Sequence, residues 1–485
     1  MSERVKPILI VALPILAFII TRKGDFDLGQ SVSTSILVLF ISATLLYWRF
    51  RVAFALLGVS LLLFLGLLDL EHFVTFSQLD VIVFLVGMMT VIGALEERHF
   101  FDYLLDTIGS KVRSGYALYA VILAMSALMA ALVDEVTSII FITLFILKIC
   151  DRLKLNPLPF VIAAVFATNV GSSATVVGNP IGVMIAFRGG FTFLDFIIWS
   201  TPNAIIVTLA TILASILVWR GYVSSMDEKL RRERLEIKIP EDVRRMQPIN
   251  WVLFLGTIGM LAIHHPLEGF LEGFLGKEPG SMKNALLVAT PMLWASISLL
   301  LERHRAREIV VHRVDWWTLL FFMLLFSAVG TLKYTGANER IGYYAVRLGE
   351  LFGAPLGGVE LGTLHSLFLV TGVLTAFLDN VLAIATMVPI VYAIHETQGW
   401  NVFSFFWAML FAGTMVGNYT PIGSTANIVA LGILERRGEK ISFAYWVKYA
   451  IVVATVQIII SLLWLNMYVV PGAPGDYTPP IKLPK

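Results

Sequence analysis

Long apolar runs separated by short polar breaks dominate the chain. Such runs lie near 7–21, 33–47, 52–69, 80–96, 200–219, 250–263, 283–300, 315–331 and 445–470. About 20 apolar residues in a helix cross a hydrocarbon core. Because backbone groups in lipid must bond internally, only helical bundles and closed barrels can span a membrane. These runs do not alternate in polarity as barrel strands do, so the pattern predicts an all-α polytopic membrane protein.

Four longer apolar stretches are interrupted by polar residues near their middles. The interruptions lie at 134–137 within 116–149, at 168–180 within 158–187, at 379–380 within 358–394 and at 417–427 within 402–432. The first and third stretches are either re-entrant hairpins or pairs of full spans, and parity leaves both open. The other two predict broken helices, because Gly and Pro interrupt the hydrogen-bond ladder while Ser, Thr and Asn supply oxygens.

A shift of 245 residues superposes the two interrupted regions. It places Asp134 on Asp379, Glu135 on Asn380, and Thr175-Val-Val-Gly on Thr420-Pro-Ile-Gly. An internal repeat of this size is common in transporters. Each copy holds an odd number of crossings when the apolar runs are threaded, so the two copies are predicted to be inverted relative to each other.

The basic residues set the predicted orientation, because short cytoplasmic loops collect Lys and Arg. Threading gives eleven spans plus two hairpins, with the N-terminus cytoplasmic and the C-terminus outside. The first run is interpreted as an uncleaved helix, since no small-residue cleavage site follows it. The predicted parts are N-terminal scaffold helices 1–79, a first repeat 80–219, a cytoplasmic charged linker 220–250, scaffold helices 251–314, a second repeat 315–470 and an irregular tail 471–485.

Composition and charge narrow the function classes. The 485 residues are 58% hydrophobic and 14% charged, against about 25% charged in an average soluble domain. A net charge of +2 gives no sign of a nucleic-acid partner, and a single cysteine, Cys150, excludes a disulfide framework and a thiolate metal cluster. The sequence has no phosphate loop, zinc-protease helix or nucleophile elbow. Neither an enzyme nor a primary pump is indicated, and no cofactor is predicted.

Three carboxylates in the apolar stretches predict a functional site. A carboxylate inside the bilayer costs about 2.5–3.5 kcal/mol, so Asp134, Glu135 and Asp379 should face the protein interior or water. The alternative for the first pair is a turn in water, but Leu132 and Val133 flank it and the acid recurs in the second copy. The alternative for the broken helices is ordinary close packing of small residues.

The three acids are the predicted titrating or cation-binding groups, with sodium possible at Asp134 and Asp379. The other residues of the predicted ion or substrate site are Thr137, Asn169, Ser173, Thr175, Gly178, Asn179, Asn380, Asn418, Thr420, Gly423, Ser424, Thr425 and Asn427. Broken helices can coordinate small cations with carbonyls and face anions with their N-terminal ends. The coupling ion is predicted to be a proton or sodium.

Several segments resemble the ion transporter superfamily. Ala-Leu-Val-Asp-Glu-Val-Thr-Ser at 131–138 and Ala-Phe-Leu-Asp-Asn-Val-Leu at 376–382 resemble its hairpin tips. Ser-Ala-Thr-Val-Val-Gly-Asn-Pro at 173–180 and Thr-Pro-Ile-Gly-Ser-Thr-Ala-Asn at 420–427 are similar to its unwound-helix motifs. The branch is that of arsenite permease, the NhaD-type sodium–proton antiporter, the melanosomal P protein and citrate transporter-like domains.

The resemblance implies a secondary transporter with an inverted-repeat, elevator-type fold and scaffold helices that form a homodimer. Two positions depart from the superfamily pattern. Glu135 replaces the usual Asn of the first tip, and Gly182 stands where an Asn matching Asn427 is expected. The dicarboxylate branch carries Ser-Asn-Thr at both tips, and this sequence does not.

The predicted activity is cation (sodium)/proton antiport, with arsenite-type export second and dicarboxylate or citrate symport third. An ion channel is the alternative from another class. Carboxylates suit a cation or proton and would repel a dicarboxylate that cations had not neutralised. The predicted partners are a small inorganic ion or small anionic solute and the lipid bilayer, here a prokaryotic inner membrane.

Overall fold

A computed structural model describes residues 5–109, 111–232, 241–439 and 441–479, and its secondary structure there is entirely helical. The N-terminal helices are α1 Lys6–Lys23, α2 Leu28–Leu46, α3 Arg51–Phe64 and α4 Leu70–Phe76. The next eight are α5 Leu79–Glu97, α6 Phe100–Gly109, α7 Gly115–Leu132, α8 Glu135–Leu153, α9 Leu158–Ser172, α10 Pro180–Gly189, α11 Phe193–Trp199 and α12 Thr201–Val218.

A middle group joins this set to the last one. It comprises α13 Arg220–Arg232, α14 Glu241–Ala262, α15 His264–Leu275, α16 Ala285–Leu301 and α17 Ala306–His312. The last group is α18 Trp316–Tyr334, α19 Ala337–Leu356, α20 Val359–Phe377, α21 Asn380–Gln398, α22 Phe403–Met415, α23 Thr425–Arg436 and α24 Phe443–Trp464. A π-helical turn, Leu465–Val469, extends α24.

The described helices contain eight that are long and apolar enough to cross a membrane, or ten if each of two bent pairs counts as one span. The expected count of eleven full spans beside the hairpins is not reproduced by this measure. Three of the eight, α7, α20 and α21, are arms of the predicted hairpins, which the prediction does not include among its eleven spans. The helices on either side of the predicted breaks, such as α9 and α22, are each too short to cross alone.

The two broken-helix regions form the centre of the bundle. Every residue of α22 is buried, as is every residue of α9 after Leu158. Peripheral helices instead expose apolar side chains, for example Leu209, Leu213 and Leu217 of α12. In water such an apolar surface would be unfavourable, but lipid chains are as apolar as leucine. The arrangement is that of a bundle with a polar-lined centre and a lipid-facing periphery.

The charged segment between the halves begins as an amphipathic helix. In α13 the side chains of Val223, Met226 and Leu230 are buried at helical spacing, while the exposed side chain of Arg231 pairs with Asp227 at 2.9 Å. Residues 233–240 of the predicted linker lie outside the described residues, as do 1–4 of the first part and 480–485 of the tail. Beyond the linker, α14 runs unbroken from 241 to 262, across the predicted boundary at 250.

Candidate functional site

The first hairpin turns at Asp134, which caps the helix that follows it. Helices α7 and α8 are joined by two residues, and one carboxylate oxygen of Asp134 accepts hydrogen bonds from the backbone N–H groups of Val136 and Thr137, both at 2.8 Å. Asp is among the best N-cap residues because its side chain satisfies donors that have no partner within the helix. Asp134 and Thr137 therefore shape the tip.

The second hairpin turns in the same way at Asp379, with one additional contact. Asp379 Oδ1 accepts from the Val381 N–H at 3.0 Å and caps α21, while its Oδ2 accepts from the Thr425 hydroxyl at 2.6 Å. Thr425 is the first residue of α23. This carboxylate therefore ties the second hairpin to the second broken helix, and Asp379 is only 5% exposed.

The residues after the two caps meet each other. Asn380 Nδ2 lies 3.4 Å from Glu135 Oε1, and these two positions are equivalent at the 245-residue offset. Glu135 is 2% exposed and Asn380 is 1% exposed. Glu135 is thus withdrawn from the aqueous turn that was the alternative interpretation. Asp134 and Asp379, the two positions predicted for sodium, each cap the helix that follows them.

The contact between the tips continues into the first broken helix. The Ser172 hydroxyl lies 3.3 Å from Glu135 Oε2, and Asn179 Nδ2 donates to that hydroxyl at 2.8 Å. The Oδ1 atom of Asn380 is buried without a hydrogen-bond partner among the described residues. A buried acceptor without a partner costs roughly 1–3 kcal/mol. The tip contact therefore joins the carboxylate of Glu135 to the amide nitrogen of Asn380, and the oxygen of that amide is left as an acceptor for a cation or a proton donor.

Each broken helix is hydrogen-bonded to its hairpin through an equivalent contact. The Thr175 hydroxyl donates to the Ala131 carbonyl, and the Thr420 hydroxyl donates to the Ala376 carbonyl. The glycines that follow are also equivalent. A Cβ atom on Gly178 would lie 2.2 Å from Ser172 O, and one on Gly423 would lie 2.3 Å from Gly417 O. No side chain fits at either glycine without movement of the backbone.

The missing asparagine of the first broken helix has a structural substitute. In the second half, Asn427 Nδ2 donates to the carbonyl of Gly417 at 3.1 Å. The residue equivalent to Gly417 in the first half is Ser172. Asn179 Nδ2 donates to that Ser172 carbonyl, also at 3.1 Å, while its Oδ1 caps α10 by accepting from the Gly182 N–H. The Asn179 side chain thus both donates to the carbonyl and caps the following helix. In the second half these two tasks are divided, because Asn427 donates to the carbonyl and Ser424 caps α23.

A cluster of buried amides joins the two broken helices. Asn169 Nδ2 donates to Asn418 Oδ1 at 2.6 Å and to Asn427 Oδ1 at 2.8 Å, while the Ser424 hydroxyl donates to Asn169 Oδ1 at 3.0 Å. All four residues are buried. The predicted residue Ser173 does not join them, because its hydroxyl donates to Val170 O in its own helix. The two halves are therefore bonded to each other at their polar centre.

Sequence reasoning missed polar residues that complete this network. Gln457 of α24 accepts from Asn418 Nδ2 at 2.8 Å and donates to the Thr211 hydroxyl at 2.9 Å, and all three side chains are buried. The available signal was a lone amide within an apolar run, because polar residues inside membrane segments are costly and usually functional. Ser172 lay within the predicted stretch but was not selected as a site residue.

A basic side chain from outside the repeats lies near the second tip. Arg51 at the start of α3 interacts electrostatically with Asp379, donates to the Thr318 hydroxyl at 2.7 Å and lies 4.5 Å from the centre of the Trp48 ring. A cavity of about 70 Å³ separates Trp48 from Leu378 and Asp379. In the sequence, Arg51 is one of the basic residues that set the predicted orientation, and it was not predicted to belong to the site.

The donor set suits a hard cation or a proton. Carboxylate, amide and hydroxyl oxygens are the ligands that hard cations prefer. Among the described residues no three His, Cys, Asp or Glu side chains come together as a metal site. Glu135 also takes part in no ion pair within that part of the chain.

Comparison with known proteins identifies the family. The family profile described as "Citrate transporter" (CitMHS) matches residues 36–409 and 356–474. A transporter of Mycobacterium tuberculosis, itself uncharacterised, is 32% identical over 397 residues, which are 80% of this chain and 87% of that one. Human P protein is 24% identical over 520 residues, covering 94% of this chain and 62% of that protein.

Solved structures agree on the fold. The Alcanivorax borkumensis YdaH transporter superposes with a TM-score of 0.56 at 15% identity, covering 83% of this chain and 88% of that one. An identity this low supports the fold alone. The family match and the P protein similarity confirm the resemblance to the ion transporter superfamily. This chain is an integral membrane protein and belongs to the CitMHS citrate transporter family of secondary transporters.

Proposed function

We propose that this chain couples transport to a cation or proton held at Glu135, and that its preferred activity is cation (sodium)/proton antiport. The observation that carries the proposal is the contact between the hairpin tips. There the Nδ2 atom of Asn380 lies 3.4 Å from a buried carboxylate that has no basic partner among the described residues, and the Oδ1 atom of the same amide has no hydrogen-bond partner there. Burying an uncompensated charge is strongly unfavourable, so a bound proton or cation stabilises the site.

The surrounding charges favour a cation over an anion. Asp134 and Asp379 add two carboxylates beside Glu135, against the single guanidinium of Arg51 near Asp379. A dicarboxylate or citrate entering this site would meet net negative charge. Proton and sodium compete naturally for one carboxylate, because either ion neutralises it. Competition of this kind is the requirement for exchanging one ion against the other.

We further propose that the two hairpins and two broken helices move as one body against the scaffold. The amide cluster bonds the halves to each other, whereas the N-terminal helices meet the second tip across a small cavity. Movement of a central body bearing the site, between inverted repeats, is a known route to alternating access. In this proposal the scaffold forms a homodimer in a prokaryotic inner membrane, with the N-terminus cytoplasmic and the C-terminus outside.

Proteoliposomes with imposed sodium and pH gradients test the antiport activity. Wild-type protein should release lumenal protons when sodium is added outside, and Glu135→Gln should not, because it keeps the size of the side chain but loses its charge. Glu308→Gln, at an exposed position on α17, is the matched control and should behave as wild type. Sodium-dependent proton movement in Glu135→Gln equal to that of wild type would contradict the proposal.

A second candidate is symport of a small carboxylate together with neutralising cations. The family description favours it, and the N-terminal ends of α8 and α21 meet at the tip contact, where helix dipoles attract anions. Gradient-driven uptake of labelled citrate in the same vesicles separates it from antiport. Arsenite export and a channel are further outcomes, and the channel is recognised by its failure to concentrate any solute.

A further inference from the structure

A cleft of about 660 Å³ lies between α8 and α23, on the opposite ends of these helices from the hairpin tips. Its walls are apolar for most of their length, formed by Ile140 and Leu144 on α8 and by Val429 and Ile433 on α23. Leu144 is 51% exposed. The cleft is therefore an apolar groove open to its surroundings, separate from the site around Glu135.

Basic side chains collect at one end of this groove. Lys148, Arg436 and Arg437 line it together with Asp151. Lys148 pairs with Asp106 at 2.9 Å and Arg437 pairs with Asp151 at 2.6 Å. Arg436 is exposed and forms no ion pair among the described residues. Three cations face two acids, so the end of the groove retains positive charge.

The groove has the length and polarity of one lipid leaflet. From residue 140 to residue 151 the α8 helix rises about 16 Å at 1.5 Å per residue, which is roughly half of a 30 Å hydrocarbon core. The apolar part lies toward the bundle centre and the basic part at the helix ends. Basic pockets between membrane helices on the cytoplasmic side bind anionic lipid headgroups, and Lys148 and Arg436 lie on the predicted cytoplasmic side.

We propose that this cleft binds one anionic phospholipid. Its phosphate lies against Arg436, with Lys148 and Arg437 beside it, and an acyl chain lies between Leu144 and Ile433. A soluble anion would use only the basic end and leave the apolar walls uncovered. Because α8 begins at Glu135 and α23 begins at Thr425, the lipid would bridge the outer ends of two helices whose inner ends form the transport site.

Native mass spectrometry of the full chain, exchanged from nanodiscs of phosphatidylglycerol and phosphatidylcholine, tests this site without any transport measurement. Wild type should retain phosphatidylglycerol preferentially. Arg436→Gln should weaken that retention about fivefold, the value of one cationic charge near an anionic surface. Arg303→Gln, another exposed arginine without an ion pair among the described residues, should leave it unchanged.

A second variant examines the apolar walls independently of charge. Ile433→Trp fills the groove and should also reduce retention of phosphatidylglycerol, while keeping all basic residues. Equal retention of both lipids by wild type, or equal behaviour of Arg436→Gln and Arg303→Gln, would overturn the proposal. If inorganic phosphate displaces the lipid completely, or Ile433→Trp retains it fully, the site is one for a soluble anion. Loss of transport at Glu135 would affect none of these readings.

Discussion

The two hairpin tips share their backbone chemistry and differ in their charge chemistry. Each has an aspartate N-cap, and each receives a hydrogen bond from the threonine of its broken helix. They differ at the next position, where Glu135 faces Asn380, and in the partners of the caps. Asp379 accepts a hydrogen bond from Thr425 and lies near Arg51, whereas Asp134, among the described residues, accepts hydrogen bonds only from its own helix. The contacts that shape the two tips are therefore repeated, whereas the charges and the cap partners at the tips differ.

Making the two hairpin tips more alike should lower the stability of the protein more than any other change proposed here. Asn380→Asp places a second buried carboxylate against Glu135, at a cost of several kcal/mol unless a cation or proton neutralises the pair. We expect a strongly lowered Tm in sodium-free neutral buffer, measured by tryptophan fluorescence, and recovery on adding sodium or acid, because a ligand of the folded state stabilises it. The exposed control Asn156→Asp should show neither change. A variant Tm that is independent of sodium and pH would disprove a cation site between the tips.

Replacing the equivalent glycine of either broken helix should lower the free energy of unfolding by nearly the same amount. Gly178→Ala and Gly423→Ala force a Cβ atom against a backbone carbonyl oxygen, and we expect about 3 kcal/mol of destabilisation from either. Unfolding in denaturant measures both. Gly432→Ala on α23, where an added Cβ meets no atom within 4 Å, should be neutral or slightly stabilising. A large difference between the first two variants would show that the broken helices are not equivalent.

The substitution of Asn179 for the missing asparagine can be reversed. Asn179→Ser should cost about 1–3 kcal/mol, because the Ser172 carbonyl loses its buried donor. Adding Gly182→Asn rebuilds the Ser-and-Asn arrangement of the second half, and we expect part of that loss to return. The same unfolding assay compares single and double variants. A double variant no more stable than Asn179→Ser would mean that the Ser-and-Asn arrangement of the second half does not form in the first half.

Neutralising the caps should have the smallest effect and should separate the two tips. Asp134→Asn should change stability by no more than a few tenths of a kcal/mol, because Asn and Asp cap helices about equally well. Asp379→Asn should cost about 1 kcal/mol more, since the Thr425 hydroxyl loses a charged acceptor. Thermal unfolding at one pH compares them directly. The reverse order would mean that Asp134 has a partner beyond its own helix.

Much of the fold and the positions of the interruptions could be predicted because single residue types encode them. An aspartate within an apolar stretch marks each tip, and Gly, Pro and Asn mark each broken helix. The 245-residue offset between equivalent residues relates the two halves from the sequence alone. The number of spans could not be predicted from residue types alone. Helices such as α9 and α22 are too short to cross the membrane, and their positions depend on the helices packed around them.

The partners within the site were less predictable. The contact of Glu135 with Asn380 joins side chains 245 residues apart, and Gln457 reaches Asn418 from another helix. Such contacts depend on how helices pack, which local pattern does not determine. Sodium was predicted at Asp134 and Asp379, and in the structure the carboxylates of both residues cap helices. The residue after each cap is the one that reaches the other tip.

Position 135 meets its own counterpart, position 380, and this has an evolutionary consequence. In a dimer of two identical half-length chains, the same contact would join two like residues, either two glutamates or two asparagines. A glutamate opposite an asparagine requires the halves to vary separately, as they can once a single gene encodes both. Two non-identical halves, here within one chain, therefore allow this contact to hold a single negative charge instead of two or none.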